Sequence, residues 1–106
     1  MHYAVTARFK TETAAEFLSR LTDGSIDSQK PDGQEILASM KRATIDTEGI
    51  VRWSEKCFCP TPLQHERATV YDDHFTDIET EEIDGYVAFE GKPLIEFLEQ
   101  AASGKK

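Results

Sequence analysis

Leu37-Ala38-Ser39-Met40-Lys41-Arg42-Ala43-Thr44-Ile45-Asp46-Thr47-Glu48-Gly49-Ile50-Val51-Arg52-Trp53-Ser54-Glu55-Lys56-Cys57-Phe58 is the stretch on which the fold turns. At its centre Asp46-Thr47-Glu48-Gly49 reads as a four-residue turn, with Gly49 suited to the left-handed position that closes it. The run after the turn, from Ile50, has the β-branched and aromatic content of a strand. The run before it reads two ways. Ile36, Leu37 and Met40 fall at roughly helical spacing, whereas Ala43-Thr44-Ile45 and the immediate turn favour a strand from about Leu37 that pairs with Ile50-Val51-Arg52-Trp53. The strand is the preferred reading. A helix from Gln34 to Arg42 would instead remove a strand from the element order.

Working outward, Tyr3, Val5, Ala7 and Phe9 alternate with Ala4, Thr6 and Arg8, which predicts a first strand with one apolar face. Thr13 and Glu16 form a capping-box pattern before Ala14, Phe17, Leu18 and Leu21, the stripe of a first helix that should stop at Asp23-Gly24. Ser25 to Gly33 reads as a loop. Beyond Pro60, Thr61-Pro62-Leu63-Gln64 has the pattern of a helix start, with Thr61 as cap and the helix running to about His74. Thr76 to Glu82 reads as an acidic fourth strand. Gly91-Lys92-Pro93 introduces a last helix whose apolar side is Leu94, Ile95, Phe97, Leu98, Ala101 and Ala102.

The resulting order, βαββαβ over residues 2 to 83, resembles the ferredoxin-like fold, and the added C-terminal helix resembles variants in the dimeric α/β-barrel superfamily. The resemblance implies an α+β domain with a four-stranded antiparallel sheet ordered 4-1-3-2 and both helices on one face. It also implies a homodimer in which the bare sheet faces meet. It supplies no shared catalytic motif, so no site residue is carried over from it. The expected organisation is one domain over 1–106, with its core at 2–83, a C-terminal helix at about 93–102 and a disordered tail at 103–106.

Composition bounds the function classes. At 106 residues, with 39% hydrophobic and 30% charged residues, the chain has the makeup of one globular domain. A formal net charge of −8 opposes nucleic acid and anionic membranes as partners. No apolar run approaches the ~20 residues needed to cross a bilayer, and Met1 to Arg8 lacks the apolar core of a signal peptide, so the expected location is cytoplasmic. Cys57 and Cys59 lie on one face of a strand-like run, ~6.6 Å apart, near the upper limit for a disulfide. They read as free thiols.

Helix two carries the candidate chemistry. On an ideal helix Leu63, Ala68, Val70, Tyr71 and Phe75 share one arc, while His65, Glu66, Thr69, Asp72 and Asp73 face away. Arg67 and His74 project into the apolar arc. A functional reading places a pocket between this helix and the sheet. Arg67 and Trp53 would bind an anionic, carbonyl-bearing or aromatic substrate there, with His74 as acid or base and Tyr71 as hydrogen-bond donor. The structural reading has Arg67 in an ion pair and His74 at a fraying helix end. Cys57, Cys59 and His65 invite a zinc reading, but three ligands at this spacing match no zinc pattern, so no metal and no cofactor are expected. Seven acidic residues between Asp72 and Asp84 read as a solvated face or as partners for Arg8, Arg52 and Lys56. The function expected from all this is a homodimer that binds or transforms a small polar or aromatic molecule without a cofactor. The alternative is a non-catalytic homodimeric interaction module.

Overall fold

A computed structural model describes residues 1–103. The chain forms an α+β domain around one antiparallel sheet. In chain order the elements are β1 (His2–Phe9), α1 (Ala14–Thr22), α2 (Gly33–Arg42), β2 (Thr44–Ile45), β3 (Ile50–Lys56), α3 (64–74), β4 (Phe75–Ile83), β5 (Lys92–Pro93) and α4 (Leu94–Ser103). The strands lie in the order β4-β1-β3-β2-β5. Of the tail expected at 103–106, Ser103 belongs to α4 instead, and 104–106 lie outside the described residues.

The turn at Asp46 to Gly49 forms as the sequence predicts. Gly49 adopts φ +85°, its N–H donates to the Asp46 carbonyl at 3.1 Å, and Asp46 Oδ1 accepts the N–H groups of Glu48 and Ile50. What precedes the turn does not follow the preferred reading. Leu37 to Arg42 is helical, and β2 keeps only Thr44 and Ile45. The physical reason is burial: Ile36 and Met40 sit on one side of α2 and pack into the core, and Lys41 and Arg42 in its last turn complement the helix dipole. The β-branched residues govern only the two positions they occupy.

A fifth strand is the second correction. Lys92 and Pro93 do not open the last helix; they pair antiparallel with Ile45 and Thr44 and close that edge of the sheet. The capping box also fails to form. Thr13 makes no cap bond; instead its hydroxyl donates to the Lys10 carbonyl at 2.9 Å and accepts from His74.

β1 lies between β3 and β4. Val5 sits opposite Trp53 on one side and Thr80 on the other, while Thr6 sits opposite Arg52 and Glu79. The β1–β4 register shifts between Thr6 and Arg8, where Asp77 takes φ +55°, the signature of a bulge. Tyr3, Val5, Ala7 and Phe9 of β1, Val51, Trp53 and Glu55 of β3 and Cys57 just after it all point into the buried layer. There Phe9 meets Phe17 of α1 and Phe97 of α4, and Trp53 meets Tyr71 of α3, with ring centroids 5.1–6.1 Å apart. Aromatic pairs at that spacing add to the burial that holds helices on the sheet.

The opposite sheet face is crossed by residues 84–91. Val87 brackets Ser54 there, donating its N–H to Ser54 Oγ at 3.1 Å and accepting the Ser54 hydroxyl at 2.9 Å. Tyr86 places its ring edge-on to His2 and under the Arg42 guanidinium. No helix among the described residues is long and apolar enough to cross a membrane.

Candidate functional site

α3 begins abruptly. Leu63 sits at φ +58°, a left-handed conformation that is costly for a non-glycine residue, and its side chain is fully buried. From Arg67 to Tyr71 the helix widens to π geometry, a form often associated with functional sites. The buried side of α3 therefore runs Leu63, Glu66, Val70, Tyr71 and His74. Glu66 holds the place that an ideal helical wheel gives to Arg67.

This settles where the expected site residues lie. Arg67 does not enter the apolar layer; it is exposed and its Nε–H donates to Asp72 at 3.3 Å. Trp53 and Tyr71 are brought together, both fully buried and both donating to Glu55 Oε1, at 2.9 and 2.5 Å. His74 is buried in a separate place. It stacks on Phe17 at 4.2 Å between centroids and bonds Arg20 at 3.0 Å and Thr13 at 2.8 Å. The four residues do not share a pocket: neither cavity described below is lined by any of them.

The chemistry gathers where β3 runs out. Cys57 follows β3 and is buried, and the backbone then folds so that the Cys59 N–H donates to Cys57 Sγ at 3.3 Å. Both thiols turn toward one oxygen of Glu66: Cys57 Sγ lies 3.6 Å and Cys59 Sγ 3.5 Å from Oε1. The two sulfurs and a Glu66 oxygen all fall within 4.8 Å of one another. Burial, together with the negative charge of Glu66, pushes the Cys57 thiol up to about 12.

Beside these groups opens a cavity of about 300 Å³, lined among others by Asp32, Cys57, Phe58, Cys59, His65 and Glu66. His65 Nδ1 lies 2.5 Å from Asp32 Oδ2, and that carboxylate raises the affinity of the imidazole for its second proton. Asp32 is itself held, since Gln29 donates to its other oxygen and to Thr69, whose hydroxyl donates to the His65 carbonyl. Phe58 stands exposed at the rim with Lys56 over its ring. On the α2 side Glu35 accepts the backbone N–H of Lys56 at 2.8 Å and the Tyr86 hydroxyl on both oxygens.

Behind the thiols, Glu55 is fully buried, and its Oε2 has no hydrogen-bond partner among the described residues. Burial pushes its carboxyl well above the usual range, with Glu66 adding to the effect; the bonds from Tyr71 and Trp53 act in the opposite sense. A larger cavity of about 670 Å³ lies at the hairpin turn, beside Ile45, Glu48, Lys92 and Phe97. It gathers no comparable set of donor atoms, so volume alone does not identify the site.

Two residues of this centre escape the sequence reading. Glu55 carries a signal, because it shares strand parity with Val51, Trp53 and Cys57 and so places a carboxyl on the apolar face. Glu66 carries a weaker one, three residues after Leu63 and four before Val70, the spacing of a buried stripe. Comparison with protein-family models, curated proteins and solved structures finds no match to this chain.

Proposed function

We propose that the protein binds a divalent metal ion of the zinc class through Cys57, Cys59 and Glu66. The observation that carries this reading is the convergence of two sulfurs from the segment after β3 and a carboxylate oxygen from α3 within 4.8 Å. Two thiolates favour zinc-like ions over magnesium or calcium, which take oxygen donors. Three protein ligands leave a fourth position, and the 300 Å³ cavity gives water, His65 or a small ligand access to it. Titration of the fully reduced protein with Co²⁺ tests the reading, because thiolate ligation produces intense sulfur-to-cobalt absorption. The expected result is one ion per chain, with the bands lost in Cys57→Ser and in Glu66→Ala. Absence of thiolate bands at saturating Co²⁺ rejects it.

A second reading is a homodimer of the dimeric α/β-barrel type, built on a ferredoxin-like core and binding a small polar or aromatic molecule. Its support is the sequence of strands β4-β1-β3-β2 and the division of charge on the sheet face away from the core. Arg52 and Lys56 stand on β3, and Glu79 and Glu81 on β4, with Thr6 and Ala4 between them. A two-fold axis through that face would turn each basic strand toward its partner's acidic one, with the segment 84–91 that crosses the face lying in the interface. The cavity beside Phe97 has the volume for such a ligand. Light scattering on the wild type and on Arg52→Glu checks this reading. A monomer in both discards it.

A further inference from the structure

Cys57 and Cys59 are the two cysteines of the chain, and the fold brings their sulfurs together independently of any ion. On a continuing extended strand, alternate residues would hold them near the upper limit for a disulfide. The chain instead leaves β3 after Lys56 and bends at Cys59, so that the Cys59 N–H reaches back to Cys57 Sγ at 3.3 Å. Phe58, between them, turns outward and is exposed. Both thiols face one oxygen of Glu66, and the sulfurs lie within 4.8 Å of each other. The remaining gap to the roughly 2 Å of a disulfide is of the size that rotation of two side chains covers. Access to the two sulfurs differs. Cys57 is buried and Cys59 only partly covered, and both line the cavity of about 300 Å³ beside them. A reagent little larger than water fits such a space.

We propose that Cys57 and Cys59 form a redox-active dithiol, oxidised to a disulfide by hydrogen peroxide or a similarly small hydroperoxide that enters through this cavity. The more accessible Cys59 reacts first. Its sulfur attacks one peroxide oxygen; the S–O bond forms, the O–O bond breaks, and the second oxygen leaves as water with the thiol proton. Cys59 is then a sulfenic acid, which condenses with a neighbouring thiol. The Cys57 sulfur attacks the Cys59 sulfur; the S–S bond forms, the S–O bond breaks, and the hydroxyl leaves as water with the Cys57 proton. Two electrons have passed from the sulfurs to the peroxide, which is reduced to two molecules of water. With no third cysteine in the chain, Cys57 is the sole resolving thiol within it. The disulfide leaves neither sulfur able to serve as a thiolate ligand, so oxidation also releases a bound ion. That release rests on the metal reading above; the oxidation rests on the placement of the sulfurs alone.

Mass spectrometry of the reduced, metal-free protein treated with hydrogen peroxide tests the oxidation. The monomer should lose two hydrogen atoms, and trypsin, which cuts after Lys56 and Arg67, should place the loss within residues 57–67. Cys57→Ser should stop at a sulfenic acid on Cys59, trapped by dimedone, and Cys59→Ser should react at least about tenfold more slowly. A wild type that gains oxygen without forming the bond, or whose bond joins two chains, overturns the proposal. Equal rates in the two variants overturn it as well, because Cys59 would then not be the point of entry. If either variant fails to fold, brief oxidation of the wild type with dimedone present decides the order: an adduct on Cys59 upholds it and one on Cys57 overturns it. In the Co²⁺ complex, peroxide should abolish the thiolate bands and a dithiol reductant should restore them. Bands that survive complete disulfide formation overturn the release. A wild type that forms the disulfide but binds no Co²⁺ upholds the dithiol and removes the metal reading, whereas one that binds Co²⁺ and forms no disulfide overturns this proposal alone.

Discussion

Arg20 donates from Nη1 to Nε2 of His74 across 3.0 Å, and this contact fixes the form of the buried imidazole. A guanidinium has no acceptor, so Nε2 must accept, and the ring proton sits on Nδ1, where it is donated to Thr13 Oγ1 at 2.8 Å. Burial and the positive charges of Arg20 and Lys10 hold His74 down at about 4 against an ordinary value of 6.5, with Asp73 opposing them. The folded protein thus keeps His74 neutral while the unfolded chain protonates it below about pH 6.5. This contribution to stability is complete above pH 6.5, is lost as pH falls toward 4, and amounts to roughly 3 kcal/mol. Urea unfolding of wild type and His74→Gln near pH 7.5 and pH 4.5 checks it. The gap between the two proteins should narrow by roughly 2 to 3 kcal/mol at the lower pH, and an unchanged gap would refute the assignment.

Arg67→Ala should change stability by less than about 0.5 kcal/mol, because its one ion pair, to Asp72, is solvent-exposed. Co²⁺ binding should be unaffected as well. Thermal melts and the cobalt titration read both quantities. A loss of several degrees in Tm would mean that Arg67 has a buried role after all.

The two thiols should differ toward alkylating agents. Cys57 is buried and its thiol is pushed up to about 12, whereas Cys59 is only partly covered. Maleimide should therefore label Cys59 first, and Zn²⁺ should protect both. Apparent metal affinity should also rise with pH, by about tenfold per unit for each thiol proton displaced. Mass spectrometry of a labelling time course reads the order, and faster labelling of Cys57 would contradict it.

Gly33 and Gly24 make a paired test of space against backbone. A Cβ on Gly33 would lie 1.9 Å from the Ile26 carbonyl oxygen, so Gly33→Ala must displace the 26–33 segment and should cost roughly 2 kcal/mol or more. Gly24 has nothing within 4 Å of such a Cβ but sits at φ +90°, so Gly24→Ala should cost about 1 kcal/mol. Equal losses in chemical denaturation would mean that the Ile26 contact relaxes freely.

Period-two and period-3.6 patterning made β1, α1 and β4 legible, and the turn at Asp46 to Gly49 is written in its own residues. What misled was local. The β-branched pair Thr44 and Ile45 occupies the end of a segment whose burial demand, set by Ile36 and Met40, is helical. At α3 the ideal wheel fails for a different reason. The left-handed Leu63 and the π turn at Arg67–Tyr71 set its rotation, so Glu66 is carried inward and Arg67 outward. The thiols were visible as a pair, but the carboxylate that faces them carried only the weak signal of its spacing from Leu63 and Val70. β5 escaped notice because a two-residue edge strand containing Pro93 has no periodicity to read.

Glu35 has a consequence for how the molecule opens. Its carboxylate holds the Lys56 N–H at the end of β3 and the Tyr86 hydroxyl of the segment crossing the sheet, while its own backbone belongs to α2. Three pieces of chain distant in sequence are thus pinned at one point beside the cavity. The end of β3, the crossing segment and α2 are thereby expected to open together in local unfolding. A change at any one of the three would be felt as amide exchange in the other two.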